Sequence, residues 1–185
     1  FGPESNLVWK VSLPAGNGSP CIWDHRIFLT GSVEGKLLTL GLDRSTGGEV
    51  WRREIQPEKA EAHSGLGSLA NSTPATDGER VCVYFGSFGL VCYDVAGQEL
   101  WRQALPIPVT QHGAGTSPVL AGDLVLLLCD QDVGSCLVAL NKRTGAMVWK
   151  ADRPGFRRGF STPLAYPPLQ PELAVVTGTL RLMAY

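Results

Sequence analysis

The stretch Gly41 to Trp51, GLDRSTGGEVW, returns as ALNKRTGAMVW at Ala139 to Trp149 and, one residue shorter, as CYDVAGQELW at Cys92 to Trp101. Such self-similarity constrains the fold more than any other feature, because each copy is one supersecondary unit that buries its apolar faces only against its neighbours. In each copy a small or modest residue precedes an apolar residue and an Asp or Asn. A turn with Gly follows, and Trp comes four residues after that Gly: Gly47 and Trp51, Gly97 and Trp101, Gly145 and Trp149. The spacing reads mechanically. A strand ends at the Asp or Asn, whose side chain caps the turn; Gly takes positive φ; a returning strand delivers Trp.

Two fragments fit the same frame. Asn6-Leu7-Val8-Trp9 looks like a returning strand, and Leu182 to Tyr185 like a copy that stops before its Asp. Trp9, Trp51, Trp101 and Trp149 recur at intervals of 42, 50 and 48 residues, the band of one four-stranded propeller blade. Between the Trp residues the sequence runs as a meander of short apolar segments separated by turn signals such as Asp24-His25, Asp77-Gly78 and Gly122-Asp123. Each unit opens with Ser19-Pro20, Ser72-Thr73-Pro74, Ser117-Pro118 or Ser161-Thr162-Pro163, expected innermost because small residues fit the narrow centre of a radial array. The Trp strand is expected outermost, its indole packed between blades.

The expected architecture is an all-β propeller, or propeller fragment, over residues 1–185. Its blades fall at approximately 10–51, 52–101, 102–149 and 150–185, with the 1–9 strand completing a blade. Sixteen strands make four blades. Three arrangements fit: an excerpt of a seven- or eight-bladed ring, a closed four-bladed ring, or an eight-bladed ring made by strand exchange in a homodimer.

Composition closes off other classes. With 44% hydrophobic residues the chain can build a core, and 22 Gly and 13 Pro spread among short apolar runs argue against long helices. A net charge of −1 supplies no field for nucleic acid or anionic membrane. No run approaches a membrane span, and FGPESNLVWK lacks a basic region followed by an apolar one, so any export signal or anchor is expected outside these residues. The five cysteines form no CxxC pair, which removes zinc-ribbon and thioredoxin-type readings. Cys129 and Cys136 flank the turn DQDVGS and sit within disulfide reach if they face each other across a hairpin.

GLDRSTGGEVW and ALNKRTGAMVW resemble the tryptophan-docking motif, roughly AxDxxTGxxxW, of the pyrroloquinoline quinone (PQQ)-like β-propeller repeats, and SPVLAGDLVLLLCDQDVGSCLVALNKRTGAMVW resembles the full repeat. Gly41, Cys92, Asn141 and the shortened turn before Gly97 depart from it. The resemblance implies either of two kinds of protein. One is a non-catalytic scaffold that binds a protein or peptide, like the lipoprotein of the outer-membrane β-barrel assembly machinery. The alternative is a quinoprotein dehydrogenase, which uses PQQ with calcium to oxidise alcohols or sugars. It also implies a periplasmic or extracellular location.

The residues favour the scaffold. There is no Cys-Cys dipeptide and no DxDxDG-like cluster; Asp130 and Asp132 are explained by a hairpin turn, so neither a cofactor nor a metal is expected. GxSxG, HExxH and nucleotide-binding glycine patterns are absent. The chemistry-bearing places are the segments that lead into the inner strands. His63 in EAHSGLG, His112 in QHGAG, and Arg157-Arg158 before Ser161 occupy equivalent positions, and in a propeller these converge on one mouth of the central channel. Together with Asn71 they are the candidate ligand contacts, suited to a peptide, a carboxylate or a small carbohydrate. Asn71, Ser72, Thr116 and Ser117 are expected chiefly to satisfy backbone groups of the inner strands.

Overall fold

The computed structural model describes residues 2, 5–63, 65, 67–168 and 170–185. Fifteen strands and no helix occur among them. Blade 1 is β1 (Cys21–Trp23), β2 (Arg26–Val33), β3 (Lys36–Asp43) and β4 (Glu49–Ile55). Blade 2 is β5 (Ala75–Thr76), β6 (Arg80–Phe85), β7 (Gly89–Asp94) and β8 (Glu99–Ala104). Blade 3 is β9 (Val119–Ala121), β10 (Leu124–Cys129), β11 (Cys136–Asn141) and β12 (Met147–Asp152). β13 (Leu164–Tyr166), β14 (Leu173–Gly178) and β15 (Arg181–Ala184) form a three-stranded blade 4. Every sheet is an antiparallel meander in chain order, as the repeats require.

The central strands are buried on both faces: Val81, Cys82 and Val83 are consecutive and fully enclosed. A blade stacked between two others has no solvent face, so apolar runs replace strict alternation. Phe28, Trp51, Val83 and Tyr93 fill the seam between blades 1 and 2. Leu90, Trp101, Leu127 and Leu140 fill the next, and Leu128, Leu137, Ala174 and Val176 the third. β1 packs on β5, β5 on β9 and β9 on β13, which gives a radial succession.

The repeated motif is a latch between successive blades. The Trp51 Nε1–H donates to the Val95 carbonyl (3.1 Å), Trp101 to Lys142 (2.8 Å) and Trp9 to Arg44 (2.9 Å). Each indole thus rests on the turn of the next blade. That turn is set by Asp43, whose Oδ1 accepts the Ser45 and Thr46 N–H groups at 2.9 and 3.0 Å, and by Asn141 in the same role. Gly97 (φ +85°) and Gly145 (φ +73°) satisfy two demands together. Their backbone is left-handed, and a Cβ would come within 2.6 Å of Trp51 or 2.5 Å of Trp101. The small residue that opens the motif lies directly opposite the Trp: Gly41 pairs with Trp51, Cys92 with Trp101 and Ala139 with Trp149. All three pairs sit beside a β-bulge, which leaves Val50, Leu100 and Val148 unopposed and swings the indole into the seam.

The chain's beginning behaves otherwise than its pattern suggested. Residues 6–10 form no strand and complete no blade; Trp9 instead packs beside Ile27, Leu40 and Leu42 on the face of blade 1 turned away from blade 2. Its indole is already held by the Arg44 carbonyl at that end of the arc. No apolar cluster among the described residues joins blade 4 to blade 1, so the blades form an open arc rather than a closed four-bladed ring.

Candidate functional site

The segments feeding the inner strands lie side by side. Gly113 abuts Glu61 and the Ala62 carbonyl, Gly115 abuts Phe160, and Gly159 abuts Asp130. A belt of hydrogen bonds joins them. Thr30 Oγ1 donates to the Ser72 carbonyl (2.7 Å), Ser72 Oγ to the Thr116 carbonyl (2.5 Å) and Thr116 Oγ1 to the Ser161 carbonyl (3.0 Å). The Thr73 N–H donates to Ser117 Oγ (2.9 Å). Backbone groups that are too near the axis for ladder partners are thereby satisfied by the side chains of the adjacent blade.

Asn71 belongs to this belt. Its Nδ2 donates to the Ala114 carbonyl (2.8 Å), while its Oδ1 accepts the Ser68 N–H (3.1 Å) and Asn17 Nδ2 (3.1 Å). The two histidines and two arginines are exposed. His112 lies edge-on to Phe160, ring centroids 6.4 Å apart. The Arg158 guanidinium donates to both oxygens of Asp132, at 2.6 and 3.4 Å. Arg157 borders a polar cleft of about 500 Å³ shared with Asp132, Ser135 and Phe156. The residue neighbouring His63 touches the residue neighbouring His112, so those two loops are brought together; Arg158 is instead drawn to the β10–β11 turn. Ser64 and Leu66, within the EAHSGLG segment, lie outside the described residues.

Two buried polar groups complete the mouth. The Glu61 side chain is enclosed against Gly86, where a Cβ would come within 2.2 Å of its carboxylate. Its Oε2 accepts the Ala114 N–H (2.6 Å) and its own N–H donates to Ser87 Oγ (3.0 Å). Burial pushes its carboxyl up to about 7, against the opposing pull of the Ala114 N–H and of His63. Arg153 and Asp130 form an ion pair with no solvent exposure on either side chain, through bonds of 2.7 and 2.9 Å. The guanidinium also donates to the Tyr185 hydroxyl (2.6 Å) and stacks 4.0 Å from the Phe156 ring. Buried, hydrogen-bonded polar groups thus underlie exposed His63, His112, Arg157 and Arg158.

The family model for the outer membrane protein assembly factor BamB matches residues 38–185. The chain belongs to this family of PQQ-like repeat propellers. Among solved structures, BamB from Moraxella catarrhalis superposes with a TM-score of 0.61 at 22% identity, covering 96% of this chain and 49% of that one. The quinohemoprotein alcohol dehydrogenase ADHIIG from Pseudomonas putida HK5 gives 0.71 at 17% identity, covering 95% and 31%. The computationally designed Ika4 protein gives 0.65 at 10% identity, covering 98% of both chains. No functionally curated protein matches the sequence. The chain therefore spans half or less of the natural structures named, and at these identities the likeness concerns the fold. Among the described residues no helix is long and apolar enough to cross a membrane.

Proposed function

We propose that this chain is a non-catalytic binding module outside the cytoplasm whose mouth loops receive an extended acidic segment of a partner protein. The observation that carries the reading is how the polar groups at the mouth are spent. Asn71, Ser72, Thr116, Glu61 and the Asp130–Arg153 pair bind neighbouring blades to one another. His112 and Arg157 stand exposed at the surface, as does His63, which interacts with Glu61, and their N–H groups suit carboxylates and carbonyls. A rigid base with an exposed donor rim suits recognition, since little ordering entropy is lost when a segment docks.

The carboxylates nearest to a calcium site weigh against the alternative of PQQ with calcium. Among the described residues no three His, Cys, Asp or Glu side chains gather as a metal site. The Asp130 and Asp132 carboxylates are already occupied by Arg153 and Arg158. These occupied carboxylates support the binding module over the dehydrogenase.

Fluorescence anisotropy with labelled extended peptides, acidic against neutral, tests the reading on the 185-residue chain. The acidic series is expected to bind and to weaken with salt. The H63A/H112A/R157A variant should lose roughly tenfold in affinity, about 1.4 kcal/mol. Equal affinity in that variant would move the site from the mouth to a blade edge. Reduction of an electron-accepting dye in the presence of PQQ, calcium and an alcohol would instead support the dehydrogenase.

A further inference from the structure

Four of the five cysteines lie in one seam, between blades 2 and 3, two from each blade. They are direct cross-strand partners: Cys82 opposite Cys92 on β6 and β7, and Cys129 opposite Cys136 on β10 and β11. Directly opposed residues of an antiparallel pair project from the same face, with Cα separations inside the range a disulfide spans. The Sγ atoms of Cys82 and Cys92 stand 3.0 Å apart.

The pairs differ in access and in electrostatics. Cys82 and Cys92 are fully enclosed in mid-strand, whereas Cys129 and Cys136 form the last rung before the turn 130–135 and Cys129 is part-exposed. Hydrogen bonding from Cys129 lowers the Cys136 thiol, helped by the Lys150 ammonium, while that same bond and burial raise Cys129. Cys82 is raised by its bond to Cys92 and by burial. The Cys129–Cys136 pair, at the end of its ladder with Cys129 part-exposed and Cys136 8% exposed, is therefore the one an external disulfide can reach, and Cys82–Cys92 is a core contact.

We propose that Cys129 and Cys136 are a reversible dithiol site, oxidised by exchange with a small or protein-borne disulfide. One cysteine of the pair attacks the oxidant's S–S bond as its thiolate, forming a mixed disulfide and releasing one thiolate. Its partner passes its proton to that leaving group and attacks the cysteine sulfur of the mixed disulfide, expelling the second thiolate. Two cysteines are oxidised to one disulfide and one external disulfide is reduced to two thiols. The staple closes the turn that holds Asp130 on Arg153, Asp132 on Arg158 and Gln131 on the Val109 N–H, so oxidation stiffens one wall of the mouth. The site stands whether or not the mouth takes an acidic peptide.

Tryptic cleavage separates the pairs, because Cys82 and Cys92 share the peptide 81–102 and Cys129 and Cys136 the peptide 103–142. The reduced full chain is incubated with oxidised glutathione, quenched by alkylation under denaturing conditions, digested and weighed. Peptide 103–142 is expected to lose two hydrogens and take no alkyl group, while 81–102 takes two. Cys129→Ser should trap one glutathione on Cys136, and Cys136→Ser one on Cys129. The proposal is overturned if 103–142 takes two alkyl groups at every glutathione ratio, or if 81–102 oxidises first. The unmutated chain alone decides between these outcomes, so a misfolded variant does not obscure them.

Discussion

Glu61 is the residue whose environment most departs from its chemistry. Its folded-state carboxyl lies near 7 and its unfolded one near 4.5, so folding favours the protonated form. The resulting stability is fully present below pH 4.5, falls as pH rises, and is gone above 7; its upper bound is roughly 3 kcal/mol at 1.36 kcal/mol per unit. Glu61→Gln keeps an acceptor for the Ala114 N–H and removes the charge. Urea midpoints measured from pH 4.5 to 8 should decline for the native chain and stay level for the variant. Parallel declines would place the titration elsewhere. Arg153 poses the complementary case of a charge that requires its partner. Arg153→Met leaves Asp130 buried and unpaired and should cost about 3–5 kcal/mol in chemical unfolding, whereas Asp130→Leu with Arg153→Met should recover most of that loss. Additive costs in the double variant would show that the pair is not coupled.

At the scale of the strand and turn, the chain announces itself. Asp43 or Asn141, then Gly47 or Gly145, then Trp51 or Trp149 are local relations, and a turn with its cap is encoded within about ten residues. The latch is legible for the same reason. Gly145→Ala should destabilise the chain by about 2–4 kcal/mol, since it adds strain at φ +73° to a 2.5 Å clash with Trp101. Gly122→Ala, at φ +57° with open space around it, separates the two causes: it should cost only the backbone part, about 1 kcal/mol. Equal losses at both positions would deny the indole its role. The mouth was read less well, for a physical reason. His63, His112 and Arg157 are visible as loop residues before a recurring Ser-Pro or Thr-Pro, and Asn71 as a group able to satisfy backbone, but its partner Ala114 in the next blade lies 43 residues away. Glu61 meets Ala114 across 53 residues and Asp130 meets Arg153 across 23, and neither pairing leaves a local signature. The inner strands are as short as Ala75–Thr76 because side chains of the neighbouring blade replace the ladder there.

The arc as a whole has two ends, and both are apolar. On blade 4, Ala174, Val176 and Met183 face blade 3, so the alternating positions Leu164, Leu173 and Leu182 face away from it, with Leu182 70% exposed. At the other end Ile27, Leu40 and Leu42 of blade 1 are buried with Trp9 packed against them, and Leu7 and Val8 are exposed. Among the described residues β15 has no outer neighbour, although β3, β7 and β11 each pair with a Trp-bearing strand. Trp149 borders an apolar cavity of about 440 Å³ beside Leu126, Ala174 and Tyr185, the place where Trp51 and Trp101 meet the next blade's turn. Different surfaces at the two ends make any self-contact head to tail, and such contacts close only when the rotation completes a turn. For the 185-residue chain in isolation we expect association, and two arcs of four blades closing as one eight-bladed ring. Light scattering should then give the mass of two chains, and Leu164→Asp with Leu182→Asp should return it to one. Mass that grows with concentration would mean that the arc does not subtend half a circle. A single-chain mass at every concentration would show that these faces, despite their composition, do not seek one another.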